Sequence, residues 1–124
     1  MSSTTPQPWP WPERTDALRA APASHRLLLD NSRVRVLEVV IEPGTREPEH
    51  THQAPSVMIV DEPAGIRYYQ AGTMLFESPE PGPCPSEPSA SEPGARVSWM
   101  EPEGPHSVEN IDSRRYHAIR IELK

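Results

Sequence analysis

Lysine is almost absent from this chain: the only one is Lys124, the last residue. That excludes an interior Schiff-base lysine and the lysine of a phosphate-binding loop. A single cysteine, Cys84, permits no internal disulfide and fits a reducing compartment. No basic stripe is present and the formal charge is −6, so nucleic acid is not expected as a partner. No apolar run approaches membrane-spanning length, and none follows a basic region near Met1, so neither a membrane span nor a signal peptide is expected. The chain reads as a soluble cytoplasmic protein. Its hydrophobic share of 35% over 124 residues allows one domain with a modest core.

Proline is abundant, with 17 residues. It cannot sit in helix interiors or central strands, so roughly a hundred residues or fewer remain for packed structure. Two segments concentrate it. Residues 1–23 form an arm that opens with Pro6-Gln7-Pro8-Trp9-Pro10-Trp11-Pro12, an extended tail or an arm that docks its indoles on this domain or a twin subunit. Within it, Thr15 to Ala20 suits one helical turn capped by Thr15 or Asp16. Residues 78–94 form an insertion with six prolines, three glutamates and no basic residue, either a lid or disordered. Cys84 lies in it without a basic neighbour and reads as an ordinary thiol.

The remainder, residues 24–124, reads as short strands between Gly and Pro turns, the pattern of a small all-β barrel or sandwich. Strands are expected at His25–Leu29, Arg33–Ile41, around His50 and His52, Ser56–Val60, Ile66–Gln70, Thr73–Glu77, Ala95–Met100, His106–Asn110 and Arg114–Leu123. Ser56–Val60 and Ile66–Gln70 suggest a hairpin turned at Asp61-Glu62-Pro63-Ala64-Gly65. Leu27, Leu28 and Leu29 are expected to be partly buried, and Ile119, Ile121 and Leu123 to face inward with His117. Trp99 and Val97 share a parity that suits a pocket wall or core.

The chemistry concentrates in Gly44-Thr45-Arg46-Glu47-Pro48-Glu49-His50-Thr51-His52. Residues two apart on a strand share a face, so His50 and His52 can occupy adjacent corners of a coordination sphere. His106, after the turn Pro102-Glu103-Gly104-Pro105, offers a third imidazole. Glu47, Glu49 and Thr51 have the opposite parity to His50 and His52, which leaves water as the expected fourth ligand. His25 stands at a strand end and reads as structural or surface, with an approach to the site as the lesser alternative.

These two stretches resemble the motifs of a single-domain cupin. Gly44, His50 and His52 match the first motif, a glycine, five residues and His-x-His, with Gly65 as its closing glycine. The motif's glutamate is missing, since Ser56 and Val57 stand there. Pro102, Gly104, His106 and Asn110 match the second motif with one residue fewer between glycine and histidine. Within cupins, Asn31 to Val39 and Pro105 to Ile111 look most like the small bacterial group named for β-alanine degradation. The resemblance implies a jelly-roll barrel holding one divalent metal through His50, His52 and His106, with Fe(II) favoured over Zn, Ni or Mn, and frequent homodimerisation.

Three neutral imidazoles leave a divalent ion its full charge, so a small anionic organic substrate is expected at the open face. Either Arg67, as a carboxylate clamp, or Tyr68, as a hydrogen-bond donor or acid, could face the cavity, but not both. His117 is a further candidate for proton transfer. The leading expectation is an Fe(II) dioxygenase acting on a small carboxylate or enolisable acid. The alternatives are a redox-neutral isomerase, decarboxylase or hydrolase, and a non-catalytic ligand-binding cupin. A protein-interaction module using the Pro/Trp-rich arm is a weaker reading.

Overall fold

The structure, a computed structural model, describes residues 9–78 and 96–124. The proline-rich insertion beyond Ser78, with Cys84, and residues 1–8 of the arm lie outside the described residues. Among the described residues nine strands alternate between two antiparallel sheets. The first sheet takes β1 (His25–Asp30), β2 (Val34–Ile41), β9 (Tyr116–Leu123), β4 (Ser56–Glu62) and β7 (Arg96–Met100), in the spatial order β1-β2-β9-β4-β7. The second takes β3 (His50–His52), β8 (Glu103–Asn110), β5 (Ile66–Gln70) and β6 (Thr73–Ser78), in the order β3-β8-β5-β6. Repeated crossing from one sheet to the other is the jelly-roll arrangement.

That crossing corrects the expected hairpin. β4 pairs with β7 and β9, whereas β5 pairs with β6 and β8, so Pro63-Ala64-Gly65 carries the chain between sheets. The true hairpin is β5–β6. Gln70 pairs with Thr73 across Ala71 and Gly72, both at positive φ (50° and 86°), the left-handed pair that a two-residue hairpin turn needs. Gly44 also has positive φ (76°), and its amide donates to the Asn110 carbonyl at the entry to the histidine segment.

The packed core is small: Val39, Ile41 and Ala118, with Met58, Val60, Val108 and Tyr116 against them. Buried polar residues outnumber buried apolar ones among the described residues. On β9 the inward positions are Tyr116, Ala118, Arg120 and Glu122, while Ile119 and Ile121 are only half-buried and Leu123 is exposed. The apolar stripe expected to face inward therefore lies on the outer face, because the interior is furnished with charged groups. Trp99 and Val97 are likewise exposed outside, with Ser98 and Met100 turned to the cavity. Leu27, Leu28 and Leu29 are also exposed, and a register shift sits between Leu27 and Leu29. The extra residue of that shift makes a bulge on β1.

The arm packs on the barrel through a 3₁₀ turn, Glu13–Thr15, and a single helical turn α1, Ala17–Ala20. The Asp16 carboxylate caps α1 by accepting from the Leu18 amide at 3.1 Å. Ala17 and Ala21 are fully buried beneath it. The Trp11 indole lies on Gly104 so closely that a Cβ there would sit 2.8 Å from the ring. Trp9 meets Trp11 edge-on at 4.7 Å, so these indoles dock on their own domain.

Candidate metal centre

β3 and β8 pair so that His50 lies opposite His106 and His52 opposite Glu103. Between these pairs β8 carries one residue more than β3, a bulge at Gly104-Pro105. The extra residue turns Glu103 to the same interior as His106. Four imidazoles gather there: ring centroids are 4.4 Å apart for His50–His106, 5.0 Å for His50–His52, 5.3 Å for His52–His106 and 4.6 Å for His25–His50. The rings of the expected trio lie together, with His50 and His106 in different close donor groupings, and His25 joins them from the first residue of β1, the lesser of the two places expected for it.

Every one of these rings has its Nδ1 engaged. His50 Nδ1 meets the Pro48 carbonyl at 2.8 Å and His106 Nδ1 the Gly104 carbonyl at 2.7 Å. His52 Nδ1 meets Glu122 Oε2 at 3.0 Å, and His25 Nδ1 lies 3.2 Å from the Ala21 carbonyl and 3.0 Å from Ser24 Oγ. Acceptors at Nδ1 fix the tautomer that leaves each Nε2 with its lone pair, the form that binds a metal. Burial lowers the pKa of all four, to about 4 for His25 and about 2 for His50, so they stay neutral.

Two ligand groupings result, sharing His52: His25/His50/His52 and His52/Glu103/His106, each with donor atoms within 4.8 Å of one another. Three mutually close N/O donors of this kind suit zinc, iron, nickel or manganese. Glu103 brings a carboxylate to the second grouping. Its Oε2 accepts from the Tyr68 hydroxyl at 2.7 Å and stands 3.8 Å from His106 Nε2; its Oε1 accepts from Arg120 Nη2 at 2.6 Å. Burial pushes its pKa up, but His106, Arg120 and Tyr68 outweigh that and hold it below its ordinary value. Glu47 is the second carboxylate, 3.6 Å from His50 Nε2, and accepts from Ser24 Oγ and the Val108 amide. Burial raises its pKa to about 8. Parity had turned it away; residues 42–49 are not strand, so alternation does not apply to them.

Of the two alternatives on β5, Tyr68 faces the cavity, its ring stacked between Phe76 at 5.1 Å and His106 at 5.5 Å. Arg67 points outward to Glu77 at 2.8 Å and Glu109 at 3.7 Å and is not part of the site. His117 is also outside. It lies on the outer face of β9 between Asp61 and Glu38, which together raise its pKa, so it cannot relay a proton to the cavity.

The cavity measures about 200 Å³, with Val39, Ile41, Val60 and Phe76 giving it apolar walls. A larger groove, about 630 Å³, runs under the arm beside Trp9 and Trp11, but its cations are paired: Arg35 with Asp16 and Glu122, Lys124 with Asp30. Glu122 links the two spaces, since one oxygen accepts from Arg35 Nε at 2.7 Å and the other faces His52.

This geometry belongs to a known fold. A cupin domain from Bordetella pertussis matches with a TM-score of 0.60 at 18% identity, covering 81% of this chain and 91% of that one. An RmlC-like cupin family protein with a double-stranded β-helix fold from Methanocaldococcus jannaschii matches at 0.53 and 11% identity, over 80% of this chain and 77% of its own. A conserved protein with a double-stranded β-helix domain from Klebsiella pneumoniae matches at 0.52 and 12%, over 80% and 74%. The chain has the fold of a single-domain cupin. No protein-family model matches the sequence, no curated protein matches it, and the narrower β-alanine group finds no support. No helix among the described residues is long and apolar enough to cross a membrane.

Proposed function

We propose that this chain is a metal-dependent cupin enzyme, an Fe(II) dioxygenase acting on a small carboxylate or enolisable acid. The observation that carries the reading is the set of buried histidines whose Nδ1 atoms are all engaged, leaving their Nε2 lone pairs to a shared ion. His50, His52 and His106 are the ligands expected from the motifs, and the close groupings His25/His50/His52 and His52/Glu103/His106 each contain two of them. Bound Fe(II) would supply the one-electron chemistry that lets dioxygen react with a closed-shell acid. The chain's own residues do the rest. Apolar walls exclude water, Glu103 lowers the charge of the centre, and Tyr68 holds a proton beside it, its pKa raised by burial and by Glu103.

The Tyr68–Glu103 pair supports a second reading, in which zinc, nickel or manganese polarises a carbonyl while Tyr68 donates a proton, as in an isomerase or decarboxylase. Reconstitution with Fe(II) without oxygen, followed by oxygen uptake with a panel of small acids, separates the two. Stoichiometric iron and uptake that is lost in His106→Ala support the dioxygenase. Tight metal with oxygen-independent turnover moves the assignment to the second reading; ligand binding without turnover makes it a binding protein. Homodimerisation is part of the proposal. Its support is the outer face of the five-stranded sheet, where Trp99, Val97 and Leu29 are exposed beside Ile119 and Ile121. Sedimentation equilibrium tests it, with a monomer at all concentrations as the refuting result.

A further inference from the structure

Among the described residues Arg120 is the one cation lining the cavity, and the reading above has no use for it. Its side chain is 4% exposed, at an inward position of β9 that pairs with Met58. A guanidinium has five N–H donors in a rigid fork, and burial normally comes with acceptors for them. Here Nη2 gives a single bond to Glu103 Oε1, Nη1 reaches only the Met58 thioether at 3.8 Å, and Nε is buried with no hydrogen-bond partner. An arginine serving merely as counter-ion to Glu103 would present two parallel donors to the carboxylate. This one spends a single donor on Glu103 while its side chain lines the cavity.

We infer that Arg120 is the anion anchor of the cavity, its unused donors taking the carboxylate of a small acid whose other end faces the histidines. The inference rests on the metal-enzyme reading and narrows its substrate class. The charges agree. Glu103 and Glu47 together can offset no more than Arg120 and half the charge of a divalent ion, and Glu122 is committed to Arg35 and His52, so an ion among the histidines leaves a positive excess that an acid offsets. Size agrees as well, since about 200 Å³ lies below the range of roughly 300–1,000 Å³ typical of sites for drug-sized ligands. The ligand is a short acid with a compact apolar body. The position also replaces Arg67 as the carboxylate clamp, on the opposite sheet from the one expected.

The test uses glycolate and glycolamide, which offer a metal the same pair of oxygens and differ in charge. Full-length protein labelled with ¹⁵N is titrated with each, with and without Zn(II), while the Arg120 Nε–H signal is followed and assigned through its loss in Arg120→Gln. The expected result is a shift of that signal by glycolate and not by glycolamide. In the Zn(II) protein, Arg120→Gln should weaken glycolate roughly 10- to 100-fold, the worth of a charge-assisted hydrogen bond, and change glycolamide by less than about threefold. Glycolate binding that neither moves the signal nor weakens in Arg120→Gln overturns the inference, the metal alone then sensing charge. If the protein takes up no Zn(II), the metal reading fails separately. The metal-free titration still decides on Arg120, a shift by millimolar glycolate supporting it and no shift refuting it. Should Arg120→Gln not fold, the wild-type signal and the affinity of Arg120→Lys serve instead.

Discussion

Glu122 is where the arm, the fold and the candidate metal centre meet, and replacing it with glutamine separates their contributions. The carboxylate uses its two oxygens on different partners, Arg35 Nε at 2.7 Å and His52 Nδ1 at 3.0 Å. A glutamine of the same shape has one acceptor oxygen and no charge, so it can serve one partner and must present its NH₂ to the other. Loss of the carboxylate that orients a metal-bound imidazole typically weakens the metal 10- to 100-fold, which is about 1.4–2.8 kcal/mol. The folding cost is smaller than for a fully orphaned buried charge, about 3–5 kcal/mol. Arg35 keeps its two bonds to Asp16 at 2.7 and 3.1 Å, so about 1–2 kcal/mol is expected. Zn(II) affinity by competition with a chromogenic chelator gives the first quantity, and urea unfolding of the metal-free protein the second. Arg35→Met provides the contrast: it breaks the link to the arm yet leaves His52 its carboxylate, so stability should fall while Zn(II) affinity changes by less than about threefold. Unchanged affinity in Glu122→Gln, or a greater loss in Arg35→Met, would refute the reasoning.

His52 belongs to both ligand groupings, so His52→Ala should abolish Zn(II) retention. His25→Ala and His106→Ala each leave one grouping intact and should retain the ion with roughly 10- to 1,000-fold weaker affinity, as a chelator titration would show. Metal-free protein should be acid-labile. The buried histidines have folded pKa values below 6.5, so the unfolded chain binds more protons; stability is full above that value and falls as pH drops, by on the order of 3 kcal/mol at pH 4 for His25 alone, whose folded value is about 4. His117 has the opposite sign: its raised pKa stabilises below 6.5 and is lost as pH rises through the folded value, so His117→Gln should flatten the alkaline limb of a melting-temperature profile. Gly104→Ala forces the Trp11 indole off its seat, with an expected cost of about 1–3 kcal/mol in urea unfolding and a shift in tryptophan fluorescence.

How much of this was legible in the chain depended on whether the parity rule applied locally. His50 and His52 obey it because they lie on a strand, and His106 follows because its turn brings β8 beside β3. Glu47 escaped because it precedes the strand, and Glu103 because a bulge shifts β8 by one residue. His25 carried no local signal at all. It is brought to the centre by pairing with Val39 across β1 and β2, a long-range fact.

The error on β9 is more instructive. Ile119, Ile121 and Leu123 were assigned inward on the rule that the apolar face meets the core, yet Arg120 and Glu122 hold the inner positions and are nearly fully buried. The rule fails where a barrel encloses a site, because the inner face must then supply charge and the apolar face is left to the outside. What stabilises such a barrel cannot be apolar burial alone, given a core of little more than Val39, Ile41 and Ala118 with their neighbours. Buried charges remain in place only when paired. Here the pairing runs in a chain from the cap of α1 through Arg35 to Glu122 and His52, and across the cavity from Arg120 through Glu103 to Tyr68. The first chain ties the arm to the first sheet and that sheet to β3; the second ties β9 to β8 and β5. Both sheets are therefore joined through the same side chains that orient the candidate ligands, so filling the centre should raise the stability of the whole barrel, and emptying it should loosen the arm as well as the site.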